Sequence, residues 1–328
     1  VIDDTRTSDA ADLDPTWVAD VVRRTLDEDL GGFPGRDVTT FSTIAPDAVA
    51  TAHLVARADG VVAGLAVVAE TVAQVADRFG LPPVTVRLVA RDGDRVAAGH
   101  VLAELRGPTR VLLVAERSLL NLASRASGVA TATRRWADVL EGTGATVLDT
   151  RKTTPGLRAL EKYAVRCGGG TNKRMGLHDV AMVKDNHVVA AGSVTAAVAA
   201  VRGGYPDVLV QVEADTADQA VEAVHAGARF LLLDNMGPAA LAEAVNDADR
   251  RVRVVDARRQ RTHGNFHQLS HGKFDVRRAV PLWPDRPLSC PAPARPSAAH
   301  RAARPFHQSA RRGGACAGTG GCARAPRP

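Results

Sequence analysis

From residue 145 to residue 255 the chain repeats one unit: an apolar run of four or five residues, then a helical segment opened by a capping side chain. The runs are 145–148, 180–183, 208–212, 230–233 and 252–255. Thr154 with Pro155 at the first helical position predicts a helix to residue 165, and Ser193 caps a helix to residue 201. Thr216 with Gln219 three residues on reads as a capping box for a helix to residue 226, and a further helix is expected over 238–245. Continuous apolar strands alternating with helices are buried on both faces, so they form a parallel sheet. The expected class is α/β, with the sheet open or closed into a barrel.

Upstream the pattern is different. Trp17, Val18, Val21, Val22 and Leu26 recur at helical spacing, with Asp14 as N-cap and Pro15 at N1, which predicts a helix over 15–29. A loop is expected over 31–40, and short β-type runs at 51–55, 84–89 and 101–105, with Asp92-Gly93-Asp94 as a turn. Residues 111–140 carry Leu113, Leu119, Leu120, Leu122, Ala126 and Val129 at helical spacing and read as one long helix, with an interruption allowed for. The organisation expected is an N-terminal α+β sandwich domain over 1–115, a parallel α/β barrel domain over 116–255 and a basic tail over 256–328. With 45% hydrophobic but only 4% aromatic residues, the core is one of Ala, Val and Leu.

Charge is divided unevenly. Residues 250–328 hold 17 of the 42 Lys and Arg but only 3 of the 36 Asp and Glu. The first 249 residues are acidic as a whole. The tail also holds half of the prolines and histidines and three of the four cysteines, with no Glu and no Ile. The acidic N-terminus lacks the basic and apolar pattern of a secretory signal, and no apolar run is long enough to span a bilayer. Four cysteines without a CxxC pair fit a reducing compartment and give no zinc site. A cytoplasmic protein is expected.

Four of the apolar runs finish alike: Asp149-Thr150-Arg151-Lys152, Lys184-Asp185-Asn186-His187, Glu213, and Asp234-Asn235. In an α/β barrel the C-terminal ends of all strands face one mouth, where active sites are built. Arg151, Lys152, Lys173, Arg174 and Lys184 make a cationic basin, and Glu213 and Asp234 supply carboxylates opposite it. Guanidinium groups clamp carboxylate and phosphate oxygens in pairs, so the pattern points to a polyanionic substrate. The Gly168-Gly169-Gly170 run before the basic pair reads either as a place where backbone approaches a ligand or as a flexible loop. His178 and His187 read as structural or loop residues.

At these residues a resemblance becomes specific. Asp149-Thr150-Arg151-Lys152-Thr153, Glu161-Lys162-Tyr163-Ala164-Val165-Arg166 with the glycines after it, and Met182-Val183-Lys184-Asp185-Asn186-His187 resemble the signature of quinolinate phosphoribosyltransferase, also called nicotinate-nucleotide pyrophosphorylase. Gly35-Arg36-Asp37-Val38-Thr39-Thr40, Glu116-Arg117 and Leu120-Asn121 are similar to that family's N-terminal part. The resemblance implies transfer of phosphoribose from phosphoribosyl pyrophosphate to quinolinate with decarboxylation, in NAD biosynthesis, with Mg²⁺ as cofactor. It implies that Arg117, Arg151, Arg174 and Lys184 hold the two pyridine carboxylates, Arg117 reaching in from the other subunit of a homodimer or higher assembly. Thr150 and Lys152 would lie beside substrate, Lys152 among the catalytic residues. Glu213 and Asp234 would serve the ribose hydroxyls and the metal. Where the family has His-Arg this chain has Lys173-Arg174, which keeps a cation at that substrate contact but makes it a point charge.

The resemblance ends near Arg250. The family's Ser-Gly-Gly and Gly-Ala-Leu-Thr-His-like phosphate loops have no counterpart, and Asp256-Ala257-Arg258-Arg259-Gln260-Arg261-Thr262 stands in place of the first. Residues 276–328 show no periodicity and a composition that cannot form the missing strands. Out-of-frame translation of the 3′ end of a GC-rich gene would produce such a tail. The competing readings are a basic extension that touches nucleic acid, against which the lack of stacking aromatics counts, and a same-fold relative, such as a molybdenum-associated one, acting on another anionic ring. An ATP-coupled nicotinate phosphoribosyltransferase would not need so many cations for one carboxylate.

Overall fold

The structure, a computed structural model, describes residues 13–237, 239, 244, 253–256 and 274–279, the last two segments for backbone only. Two compact units divide the chain at residue 281, and the second lies outside the described residues.

Helix α1 (Pro15–Leu30) starts where its sequence dictates: the Asp14 carboxylate accepts from the Thr16 N–H at 2.8 Å, Pro15 takes the first turn, and Gly31 closes the helix in the left-handed region. The expected loop at 31–40 contains a short helix, α2 (Val38–Thr43), because Asp37 caps both the Thr39 and the Thr40 N–H. The chain continues through β1 (Val49–Ala56), β2 (Gly60–Val61), α3 (Ala66–Phe79), β3 (Thr85–Leu88), β4 (Arg95–Val96) and β5 (Val101–Pro108). Strands β1, β3 and β5 pair antiparallel, and β2 pairs with β4.

Helix α4 (Thr109–Leu140) runs uninterrupted for 32 residues, about 48 Å at 1.5 Å per residue. Its Ala, Ser, Val and Leu positions pack on α3 and on α5 (Arg158–Cys167). One hydrophobic core therefore extends from Leu13 to Cys167 and passes through the boundary drawn at 115/116.

Four parallel strands follow in the order β6-β7-β8-β9: β6 (Val180–Val183), β7 (Leu209–Ala214), β8 (Phe230–Leu233) and β9 (Arg253–Asp256). The intervening helices are α6 (Asp185–Ala191), α7 (Val194–Gly204) and α8 (Ala217–His225). Ser193 and Thr216 cap α7 and α8 as expected, but the Gln219 amide accepts from Asp215 N–H rather than from its N-cap partner. Val183, Val210, Val212, Leu231 and Leu233 form a second core with α7 and α8. The helix expected over 238–245 lies largely outside the described residues.

Three expectations are corrected. Residues 145–148 form no strand; Leu148 makes a single parallel bridge to Thr171. The helix expected from Thr154 begins at Arg158, since the Glu161 carboxylate accepts the Thr154 N–H and holds residues 154–157 as a turn. Phe274–Ala279, partly inside the tail read as unable to form the missing barrel strands, is a strand, β10, but one that pairs antiparallel with β1 in the first sheet. Ladder bonds are made by backbone groups whatever the side chains. The parallel strands form one four-stranded sheet, and among the described residues it is not closed into a barrel.

Candidate active site

Strand alternation decides which side chains share a face. Val183, Val212, Leu231 and Leu233 point toward the helices, so Met182, Gln211, Glu213, Phe230 and Leu232 occupy the other face, in register across β6, β7 and β8. Asp234 continues the β8 alternation on this face, its N–H bonded to the Ala214 carbonyl at 3.0 Å. The C-terminal ends of the strands thus bring Glu213 and Asp234 to one side of the sheet.

Cations gather against it. The Lys184 ammonium donates to a Glu213 carboxylate oxygen at 2.7 Å. The Lys173 ammonium stands 5.1 Å from the centre of the Phe230 ring. Burial, then the charge of Arg174, lowers the Lys173 pKa to about 8; Lys184 pushes the same way, while Glu213 and Asp149 oppose. Arg174 donates to the Val180 carbonyl at 3.2 Å. Burial and then the positive charge of Arg151 hold its pKa below the usual arginine range. The Arg151 Nε is buried with no hydrogen-bond partner. Like charges crowd here without enough carboxylates to match them, and this is a site that gains by taking up an anion.

The other predicted residues are placed less centrally. Thr150 Oγ1 accepts the Lys152 N–H at 3.0 Å, which folds the start of that loop, and the Lys152 side chain is exposed. Arg117 is exposed on α4, and no hydrogen bond or ion pair joins it to the basin. His187 is structural, its Nδ1 accepting the Lys184 N–H at the start of α6. The glycine run lies close against α4: a Cβ at Gly168 would lie 2.4 Å from the Ala130 carbonyl and one at Gly169 2.8 Å from the Arg134 guanidinium. Its small size serves packing against α4.

Behind the basin lies a polar knot that periodicity does not announce. Asp149 is buried, and its Oδ1 accepts from the Lys162 ammonium at 2.6 Å and from the Lys173 backbone N–H at 2.8 Å. Its Oδ2 accepts from the Asn172 amide at 2.7 Å. Asn172 also donates to the Lys162 carbonyl at 2.8 Å and accepts from Arg166 at 2.7 Å. Lys162 is 1% exposed; burial lowers its pKa, and Asp149 opposes that shift. The only hint in the sequence is a lysine inside a helix whose neighbours Leu160, Ala164 and Val165 are all core residues.

Comparison with known proteins agrees with this geometry. The model of the quinolinate phosphoribosyl transferase N-terminal domain matches residues 37–127, and that of the C-terminal domain matches residues 129–258. The chain is 43% identical over 236 residues to the nicotinate-nucleotide pyrophosphorylase [carboxylating] of Mycobacterium leprae, covering 72% of this chain and 81% of that one. It is 34% identical over 273 residues to quinolinate phosphoribosyltransferase [decarboxylating] 1b of Nicotiana tabacum, covering 80% and 74%. The crystal structure of NadC from Streptococcus pyogenes superposes with a TM-score of 0.73 at 33% identity, over 81% of this chain and 98% of that one. Sequence and fold agree, and the chain belongs to the quinolinate phosphoribosyltransferase family, the pentosyltransferases of NAD biosynthesis.

Proposed function

We propose that the inner face of the parallel sheet binds quinolinate through Arg151, Lys173, Arg174 and Lys184, and joins it to phosphoribosyl pyrophosphate to give nicotinate mononucleotide, pyrophosphate and CO₂. The observation that carries this is the convergence of those four cations beside Glu213, with the Arg151 Nε unpaired and Lys173 partly buried on the Phe230 ring. A pyridine ring with two adjacent carboxylates supplies the missing negative charge. Fixed in place, its nitrogen attacks the anomeric carbon as the bond to pyrophosphate breaks. Glu213 and Asp234, on the sugar side, stabilise the positive charge that develops on the ribose. The C2–carboxylate bond then breaks, its electron pair passes to the ring made cationic by ribosylation, and a proton replaces CO₂.

Among the described residues there is no cluster of three or more His, Cys, Asp or Glu to hold a metal. Two carboxylates suit Mg²⁺ when substrate phosphate and water complete its shell. Glu213 and Asp234 would hold it, and it would neutralise the departing pyrophosphate. Arg117, exposed on α4, is assigned to the neighbouring protomer's site in a dimer. No helix among the described residues is long and apolar enough to cross a membrane, and a cytoplasmic setting belongs to this reading.

The test is a binding panel by calorimetry: quinolinate, nicotinate and single-carboxylate isomers. Quinolinate is expected to bind most tightly by about tenfold or more, since one charge-assisted contact is lost with each carboxylate. Equal affinity across the panel would overturn the assignment. Glu213→Gln is expected to lower turnover by about 10²–10³ while leaving quinolinate affinity within a few fold.

A further inference from the structure

Three of the four basin cations sit on irregular backbone. Arg151 lies in the segment after Leu148, and Lys173 and Arg174 in the segment between Thr171 and β6; beyond the bridge bonds at Thr171, Asp149 N–H to the Thr171 carbonyl and Thr171 N–H to the Val147 carbonyl, neither belongs to a helix or strand. Both segments meet at Asp149. Its carboxylate is two residues from Arg151 and accepts the backbone N–H of Lys173 itself, while its other oxygen fixes the neighbouring Asn172. We infer that Asp149 is a positioning residue for the dicarboxylate site, aligning the backbone that carries Arg151, Lys173 and Arg174, with Lys162 and Asn172 as the groups that hold it. This rests on the quinolinate reading of the basin.

The charge state of the knot has its own logic. Only a carboxylate can accept from an ammonium, a side-chain amide and a backbone N–H together, so a neutral acceptor would leave one of them unpaired. A bare carboxylate behind an anion site would repel the substrate. Lys162, at 2.6 Å and with its side chain 1% exposed, offsets that charge. The geometry of bidentate contacts tolerates little displacement, so loss of the anchor is felt in binding before it is felt in the chemistry.

The test uses the full chain with two double variants, Asp149→Asn with Lys162→Met and Asp149→Ala with Lys162→Met. Each removes both charges at once and so leaves no lone buried ion. Thermal unfolding reports the fold, amide exchange reports the Lys173 N–H, and calorimetry reports quinolinate affinity. In both variants the protein is expected to fold with reduced Lys173 protection. The quinolinate Kd should rise about tenfold with asparagine, which still offers one acceptor, and about a hundredfold with alanine. A role confined to stability would shift Tm and leave Kd alone. If wild-type protein binds quinolinate and the folded alanine variant binds it equally well, the positioning role is overturned while the site reading stands. Absence of quinolinate binding by the wild-type chain overturns both. Should the double variants not fold, Asn172→Ala keeps both charges and gives the same decision: about a tenfold rise in Kd supports the role, and an unchanged Kd overturns it.

Discussion

Lys173 shows how one substitution in a cation cluster changes its response to pH. Its pKa is lowered to about 8 by burial on the Phe230 ring and by Arg174. As pH rises through about 8 the ammonium loses its charge, and on the proposed role of Lys173 quinolinate affinity is expected to fall. Stability responds with the opposite sign. Between about 8 and the ordinary 10.5 the unfolded chain binds the extra proton, so folding is favoured as pH rises across that window. A calorimetric series across this range should show affinity weakening by up to about tenfold per pH unit above the bend. Lys173→Arg should flatten it, because a guanidinium stays charged. A second prediction at this scale concerns the buried pair: Lys162→Met alone leaves Asp149 uncompensated and should cost about 3–5 kcal/mol in urea unfolding.

Among elements, the junction of α4 with the end of α5 depends on small residues. Gly169 has φ +83°, and an added Cβ would meet the Arg134 guanidinium at 2.8 Å. Gly169→Ala combines a left-handed backbone with this close contact and should destabilise by about 1–3 kcal/mol, read from the denaturation midpoint at unchanged m-value. Helix α1 offers a milder case. Asp14→Ala removes the cap on Thr16 N–H and should cost about 1 kcal/mol by the same measurement.

At the scale of the whole molecule, the assignment of Arg117 to the partner's site predicts complementation. Arg117→Ala and Arg151→Ala proteins should each fail to bind quinolinate. Mixed and reassorted, they should recover about a quarter of the wild-type binding stoichiometry, since half the dimers are hybrid and each hybrid carries one intact site. Recovery of none would place Arg117 in its own protomer's site. The match to the family's C-terminal model ends at residue 258, in the segment where the composition turns basic. Out-of-frame translation of that segment predicts that another frame of the coding DNA carries a Gly-Gly loop and a closing strand. Restoring it should raise nicotinate mononucleotide formation well above that of the present chain. Equal turnover by the two proteins would sink this explanation.

The local rules in the sequence determined much of the scaffold. Asp14-Pro15, Ser193 and Thr216 start their helices because a capping oxygen and its N–H lie within four residues of each other. The runs at 180–183 and 230–233 became strands, and the run expected at 252–255 became Arg253–Asp256, because short apolar segments alternating with helices pair side by side as parallel strands. The order of charges at the strand ends, with the family motifs, singled out the residues that the proposed site uses. Tertiary structure alone decided the rest. Residues 145–148 yielded their strand to a single bridge at Leu148. The glycine run turned out to serve packing on α4. Asp149, counted in the sequence with the residues of the mouth, lies behind it, bound to a lysine thirteen residues away. Partners brought together by folding are fixed by packing and desolvation, and neither is written in the spacing of residues along the chain.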